Sequence, residues 1–235
     1  MATAVITGAS RGFGEVLAAD LLNDGWNVVI DARNDVELQR TAERLAGQAH
    51  PTATVVAIAG DVTRGQHRAE LIAAAEALGG IDLLVNNASM LGPSPQPALA
   101  DYPLDEWQRV FDVNVVAPLA LTQLALPVLV PGRGRIINIS SDAGVEAYEG
   151  WGGYGAAKAA LDHLSRVLAV EHPDVGVYSV DPGDMRTAMH QDAFPGEDIS
   201  DRPPPEASVP GVLTLVLGEL PSGRYQAREL AEVPA

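Results

Sequence analysis

The chain has 235 residues, 47% of them hydrophobic, with 15 Lys and Arg against 31 Asp and Glu and no cysteine. That length suits one large α/β domain or two small ones, and the composition excludes a disordered or collagen-like chain. A formal net charge of -16 argues against nucleic-acid binding, which needs clustered cations along phosphates, and the lack of cysteine excludes disulfides and thiolate metal sites.

Met1 leads directly into an apolar strand, Ala2 to Ile6, and a glycine motif begins at Gly8, which leaves no room for a cleavable leader. With no cysteine, a reducing, cytoplasmic setting is the expectation. Short Val, Ile and Leu runs then alternate with segments of helical period, the pattern of βαβ units closing a parallel sheet. Further strands are predicted at Val28 to Asp31, Thr54 to Ala59, Asp82 to Asn86, Arg135 to Ile139 and Val175 to Val180. Helices are predicted near Phe13 to Asn23, Val36 to Gly47, His67 to Leu78, Leu104 to Leu129 and Tyr154 to Glu171. Six strands and five crossovers make one α/β domain, a doubly wound parallel sheet with helices on both faces.

The most apolar stretch, Val113 to Val130, contains Asn114, Pro118, Gln123 and Pro127. It reads as a buried helix and not as a lipid-facing span of about 20 residues, and no membrane partner is expected. After Pro182 the alternation breaks, and a Pro-rich, acidic segment from Gly183 to Pro210 precedes the apolar run Val212 to Leu217. Long loops in compact domains are functional or disordered, and this one leaves from a carboxyl end of the sheet, where such folds bind ligands. It is read as a mobile substrate lid; a plain surface excursion is the alternative. No internal repeat is present.

Thr7-Gly8-Ala9-Ser10-Arg11-Gly12-Phe13-Gly14 lies between the first strand and first helix, where a nucleotide-binding fold places its pyrophosphate loop. Glycines permit tight turning and close backbone approach, while free N–H groups and the helix dipole hold phosphate. The TGxxxGxG spacing, followed in order by Asp61, Asn86-Asn87-Ala88, Asn114, Ser141, Tyr154 with Lys158, Pro182-Gly183 and Thr187, resembles the short-chain dehydrogenase/reductase family over about four fifths of the chain. The resemblance implies a Rossmann-type fold, an NADP(H) cofactor and a small carbonyl or alcohol substrate. It also implies cofactor contacts from Gly8, Ser10, Arg11, Gly12, Phe13, Gly14, Arg33, Asp61, Val62, Asn87, Ala88, Tyr154, Lys158, Pro182, Gly183 and Thr187.

NAD enzymes of this fold place an acid at the end of the second strand to accept from the ribose 2′-OH. By the resemblance that position is Ala32, and Asp31 should face away because side chains alternate along a strand. Arg33 follows and Arg11 sits in the glycine loop, so two guanidinium groups suit a 2′-phosphate and favour NADP. An inward-turned Asp31 would reverse the preference.

Tyr154 and Lys158 are four residues apart in a helical segment and share one face. A neighbouring ammonium is expected to lower the phenol from its usual value of about 10 and make it a usable acid and base. Ser141 ends a strand-like run at the carboxyl edge, and the resemblance assigns it the substrate oxygen. The resemblance also assigns Asn114 to a water-mediated proton path, Lys158 to the nicotinamide ribose, Thr187 to the carboxamide, and Asp61 and Asn87 to the adenine and ribose end. The implied chemistry is reduction of a ketone or aldehyde by NADPH, or the reverse oxidation. A non-catalytic NADP-binding sensor or scaffold is the alternative, against which the intact Asn114, Ser141, Tyr154 and Lys158 set argues.

Three features depart from the family pattern or extend it. Ser89 stands where the family commonly has glycine, with Met90 and Leu91 forming an apolar pocket wall, and the carboxyl-terminal Ser-Gly-Arg-Tyr-Gln run differs from tetrameric members. A homodimer or homotetramer through the helices near Leu104 and Tyr154 is expected, though those apolar faces would equally serve as core. Asp142, Glu146 and Glu149, with Asp184, Asp192, Glu197, Asp198, Asp201 and Glu206 against Arg186 and Arg202, suggest an acidic rim for an amine-bearing, aminosugar-like substrate. A solvated acidic surface is the alternative reading. Tyr148, Trp151 and Phe194 are candidate aromatic walls, whereas His50, His67, His163, His172 and His190 show no metal-ligand spacing and receive no chemistry.

Overall fold

Residues 1–129 and 134–231 are described by the computed structural model. Seven strands form one sheet: β1 (Thr3–Ile6), β2 (Asn27–Ala32), β3 (Val55–Ala59), β4 (Leu83–Asn86), β5 (Arg135–Ile139), β6 (Gly176–Asp181) and β7 (Gly223–Gln226). All pairs are parallel, in the order β3-β2-β1-β4-β5-β6-β7, so the direction of growth reverses between β1 and β4. That reversal opens the crevice beyond the carboxyl ends where ligands enter such sheets.

Alternation along the strands explains the two cores. Ala4 and Ile6 of β1 face one side with Val28, Ile30, Val85 and Val180, while Val5 faces the other with Val29, Leu84, Ile136 and Val177. Helices α1 (Gly12–Asn23) and α2 (Asp35–Gln48) cover the first face through Leu17, Leu21 and Leu38. Helices α3 (Gly65–Ala77), α4 (Leu104–Phe111), α5 (Ala117–Ala125) and α6 (Gly152–Glu171) follow, and Leu71, Leu121 and Leu168 cover the second face. Strands buried on both faces need near-continuous apolar sequence, which makes β1, β2, β4, β5 and β6 legible, and β3 at the other edge is legible by its Val-Val-Ala-Ile run.

The predicted count of six strands is corrected to seven. β7 reads Gly-Arg-Tyr-Gln, pairs only with β6 at the sheet's edge, and carries none of the β-branched residues that mark a buried strand. The single helix predicted over Leu104 to Leu129 is also corrected. It is α4, a π-helical turn at Asp112–Val116, α5, and a 3₁₀ turn at Leu126–Val128. Pro118 withholds the N–H that an α-helix would direct to the Asn114 carbonyl, and Pro127 withholds the one that would reach the Gln123 carbonyl.

Leu104–Val128 is long and apolar enough to cross a membrane by length and composition. The buried helix expected over Val113 to Val130 falls in this segment, which is covered on one side only. Leu121 and Ala125 lie in the core, whereas Leu104, Val116 and Leu124 face outward, as do Val167 and Val170 of α6. Val130, the last residue of the apolar stretch, lies outside the described residues. Beyond β6 the chain forms α7 (Ala188–Ala193), a 3₁₀ turn at Pro205–Ser208, α8 (Val209–Leu217) and α9 (Ala227–Ala231), so the run Val212 to Leu217 is helical.

Candidate active site

The loop from Thr7 to Gly14 joins β1 to α1, and two of its glycines need what only glycine supplies. Gly8 and Gly12 have φ of +67° and +63°, and a Cβ on Gly8 would stand 2.8 Å from the Ala88 Cα. Behind the loop, Thr7 Oγ1 accepts from the Asn87 and Ala88 N–H groups at 3.0 Å each. The Asn87 amide donates to the Thr7 and Gly8 carbonyls at 2.8 and 3.1 Å, so its donors brace the loop and are not free for a ligand. Gly14 packs on that amide and does not reach the cleft. Arg11 offers no side-chain cap to α1, whose first N–H groups stay open to an anion. A loop without Cβ atoms at Gly8 and Gly12, leading into the uncapped N-terminus of α1, fits the pyrophosphate of a dinucleotide.

At the end of β2, Asp31 is 1% exposed and lies against the wall of the same cleft as Ala32 and Arg33. Its Oδ1 accepts from the Gly8 N–H at 2.6 Å, and its Oδ2 meets His67 Nε2 at 2.8 Å. Burial pushes this carboxyl up, opposed by the bonds from His67 and Gly8. His67, given no chemistry from its sequence position, therefore pins the carboxylate beneath the phosphate loop. Arg33 and Arg11 are exposed at the cleft, with Ala32 beside them. Asp61 accepts from the Thr63 N–H and hydroxyl at 2.9 and 2.8 Å. Burial works to raise Asp61, but the two Thr63 donors with Arg33 and Arg64 outweigh it and hold the carboxyl below its ordinary value.

A cleft of about 1180 Å³ runs from these residues past Ser10, Phe13, Val62 and Ala88 to Ser141, Tyr154, Lys158, Pro182, Gly183 and Thr187. Of the predicted site residues, only Gly14 and Asn114 do not line it. Asn114 sits in the π-helical turn, 1% exposed, and its amide is spent on the loop after β4: Oδ1 accepts from Ser89 Oγ at 2.9 Å and from the Met90 N–H at 3.0 Å, while Nδ2 donates to the Met90 carbonyl at 2.7 Å.

Tyr154 and Lys158 project from the first turns of α6 and are 8% and 2% exposed. Lys158 Nζ donates to the Ile139 carbonyl at 2.7 Å and lies 5.3 Å from the Tyr154 ring centroid. The expected lowering of the phenol by this ammonium is not found. Burial pushes Tyr154 up to about 12, with Ser89 opposing and Asp181 and Asp142 adding to the rise. Burial likewise pulls Lys158 down to about 8, opposed by Asp162. Desolvation outweighs pairing at this spacing, so the phenol is held in its protonated form.

Ser141 follows β5, with its hydroxyl on Asp142 Oδ1 at 2.9 Å; Tyr148 donates to Asp142 Oδ2 at 3.0 Å. Two residues that sequence reasoning missed hold this edge. Arg224 of β7 donates to the Ser141 carbonyl at 3.0 Å and pairs with Asp162 at 3.0 Å and Asp181 at 3.6 Å. Asp181, at the end of β6, also accepts from the Gly183 N–H at 2.9 Å. The signal for Arg224 was the unusual Ser-Gly-Arg-Tyr run, but its partners lie far away in sequence.

The segment after β6 lines the cleft through Pro182 to His190, Asp192 and Ala193. Thr187 caps α7 by accepting from the His190 N–H at 3.3 Å, and its methyl group stands 3.6 Å from where a Gly12 Cβ would be. Ser94 donates to the Asp192 carbonyl at 2.6 Å and ties this segment to the loop after β4. Of the acidic residues expected at the rim, Asp142, Asp184, Asp192 and Glu206 line the cleft; Glu146, Glu149, Glu197, Asp198 and Asp201 do not, because the loops carrying them turn outward. Met90 and Leu91 do form a wall, as does Trp151, whose ring lies 5.9 Å from Tyr154, 5.8 Å from Phe194 and 6.3 Å from Tyr148.

Residues 2–198 match the family described as short chain dehydrogenase. An uncharacterized oxidoreductase of Staphylococcus aureus (strain USA300) is 35% identical over 190 residues, 79% of each chain. Sepiapterin reductase of Rattus norvegicus is 38% identical over 201 residues, 81% of this chain and 76% of that one. A short chain dehydrogenase from Escherichia coli CFT073, solved in complex with NADPH, has a TM-score of 0.85 at 27% identity and covers 97% of this chain and 96% of its own. An alcohol dehydrogenase from Thermococcus sibiricus, complexed with 5-hydroxy-NADP, has a TM-score of 0.85 at 26% identity, with 100% and 99% covered.

Proposed function

This chain belongs to the short-chain dehydrogenase/reductase family of oxidoreductases, and from that premise we propose that it is an NADPH-dependent reductase of ketones or aldehydes. One observation carries the reading: the glycine cradle, Ser141, Tyr154 and Lys158 open onto the same cleft. NADPH, when bound, supplies the hydride. Tyr154, buried and held protonated at neutral pH, gives its proton to the substrate oxygen. Ser141 turns its hydroxyl from Asp142 to that oxygen, and Lys158 keeps its ammonium against the ring face of Tyr154 and the Ile139 carbonyl. A loaded acid favours the reductive direction, and relatives that include a named reductase and structures holding NADP-type ligands support it.

Arg33 and Arg11 at the mouth, with Asp31 locked under the loop, favour a 2′-phosphate over a bare ribose. The segment from Gly183 to Pro210 acts as the substrate lid. Asp142, Asp184 and Asp192 on the substrate side, beside the Trp151 ring, favour a carbonyl compound that carries an amine.

Parallel titrations with NADPH and NADH followed by fluorescence, with turnover on a panel of ketones and aldehydes, test the reading. Tyr154→Phe is expected to keep NADPH affinity and lose reduction by about a thousandfold. Equal affinity for both cofactors would remove the Arg33 argument, and undiminished turnover by Tyr154→Phe would remove the mechanism.

A further inference from the structure

Asp31 is an acid at the end of β2, on the wall of the cleft with Ala32 and Arg33, and yet both of its carboxyl oxygens are taken. Oδ1 accepts from the Gly8 N–H at 2.6 Å and Oδ2 meets His67 Nε2 at 2.8 Å, while the Asp31 carbonyl accepts from the Ala9 N–H at 2.9 Å. A carboxylate here with an oxygen open to the cleft would accept from a bare ribose 2′-hydroxyl and repel a 2′-phosphate. Gly8 occupies one oxygen only, so the second depends on the histidine.

The Asp31 side chain shares with Val29 the face of β2 that α3 covers, and His67 stands in the first turn of that helix. The histidine is 5% exposed and does not line the cleft. Its ring fills a slot that glycine keeps open: a Cβ on Gly60 would stand 2.2 Å from His67 Nδ1. Nδ1 is buried with no hydrogen-bond partner among the described residues, so the ring hydrogen is assigned to Nε2, facing the carboxylate. Asp61, the neighbouring acid, is held by Thr63 and supplies no donor to replace it. Without His67, Oδ2 would be an unpaired charge in an apolar slot, and the side chain would turn to the water and ligand of the cleft beside it.

We propose that His67 determines the cofactor preference from behind the site: it holds the Asp31 carboxylate on the phosphate loop and away from the ribose, and so leaves the 2′ position to Arg33 and Arg11. His67 is a positioning residue that acts through Asp31, and Gly60 serves the same end by giving the ring its place. This inference rests on the reading of NADPH as the cofactor.

The test is the ratio of the NADH and NADPH dissociation constants, measured by fluorescence titration of the full chain. His67→Leu keeps apolar volume and removes the donor, whereas Gly60→Ala pushes the ring off Asp31 with the histidine still present. Each is expected to lower the ratio by about tenfold, as a freed carboxylate gains the 2′-hydroxyl and opposes the 2′-phosphate. His67→Gln, which retains a side-chain N–H donor, is expected to keep the parent ratio, and adding Asp31→Asn to His67→Leu is expected to restore it. A merely disturbed loop would weaken both cofactors alike and leave the ratio where it was. A parent ratio in His67→Leu overturns the proposal, as does a lowered ratio that persists when Asp31→Asn is added; should His67→Leu not fold, Gly60→Ala decides by the same ratio. Equal affinity of the parent protein for NADH and NADPH would instead strike the cofactor reading, before any variant is compared.

Discussion

Lys158 shows how a site residue acts against the fold that holds it. Its ammonium is 2% exposed, and burial moves it from its ordinary 10.5 to about 8. That displacement corresponds to about 3 kcal/mol of destabilisation at neutral pH, at about 1.4 kcal/mol per pH unit. The cost is fully present below pH 8. Between about 8 and 10.5 the unfolded chain still binds a proton that the folded protein has released, so stability rises with pH across that window. Lys158→Met removes the charge and forfeits the bond to Ile139, worth about 1 kcal/mol. Urea unfolding at pH 7 is expected to find this variant more stable by about 2 kcal/mol, with the gain fading toward pH 10; a less stable variant at pH 7 would contradict the assignment. The i, i+4 spacing that put Tyr154 and Lys158 on one helix face was legible in the sequence. Their protonation states were not, because desolvation depends on what packs around them.

Among the elements, β7 carries more of the site than its four residues suggest. Arg224 reaches across from this edge strand to the Ser141 carbonyl and to Asp162 and Asp181, both almost fully buried. Ser179 Oγ also donates to Asp162, and Arg224 is the cation paired with both carboxylates under the active-site edge. Arg224→Met should destabilise the protein by roughly 3 kcal/mol, because it strands buried charge. Arg224→Lys restores charge without the planar fork and should recover part of that loss in urea unfolding; a neutral effect of Arg224→Met would show that the clamp is dispensable. The β5 and α6 placements of Ser141 and Tyr154 were legible from apolar runs and helical period. β7 was missed because a short edge strand has no such pattern. The π-helical turn at Asn114 has no pattern of its own in the sequence, because its apolar period runs on from α4 into α5.

At the scale of the whole molecule, the charge of -16 acts on the cleft through a few carboxylates. Asp142, Asp184 and Asp192 are exposed around the cleft, where on the proposed reading they attract a cation through solvent. Screening over about 10 Å at 0.1 M salt and about 3 Å at 1 M should therefore erode the preference. For matched carbonyl compounds with and without an ammonium group, the kcat/KM ratio is expected to favour the cation several-fold at low salt and to approach unity near 1 M. A salt-independent ratio would leave the carboxylates as ordinary solvated surface.

By itself the sequence determined the order of the first six strands, the glycine cradle between β1 and α1, and the pairing of Tyr154 with Lys158 on one helix face. These depend on features written locally: two-residue and helical periods, positive-φ glycines, and spacing along one helix. Only the tertiary structure decided where the carboxylates went. Asp31 is locked by His67 and Gly8, Asp181 is joined to Arg224, and Tyr154 is kept protonated beside Ser89. Each outcome turns on burial and on partners from distant parts of the chain, and electrostatic free energy at these sites is set by that environment more than by residue type.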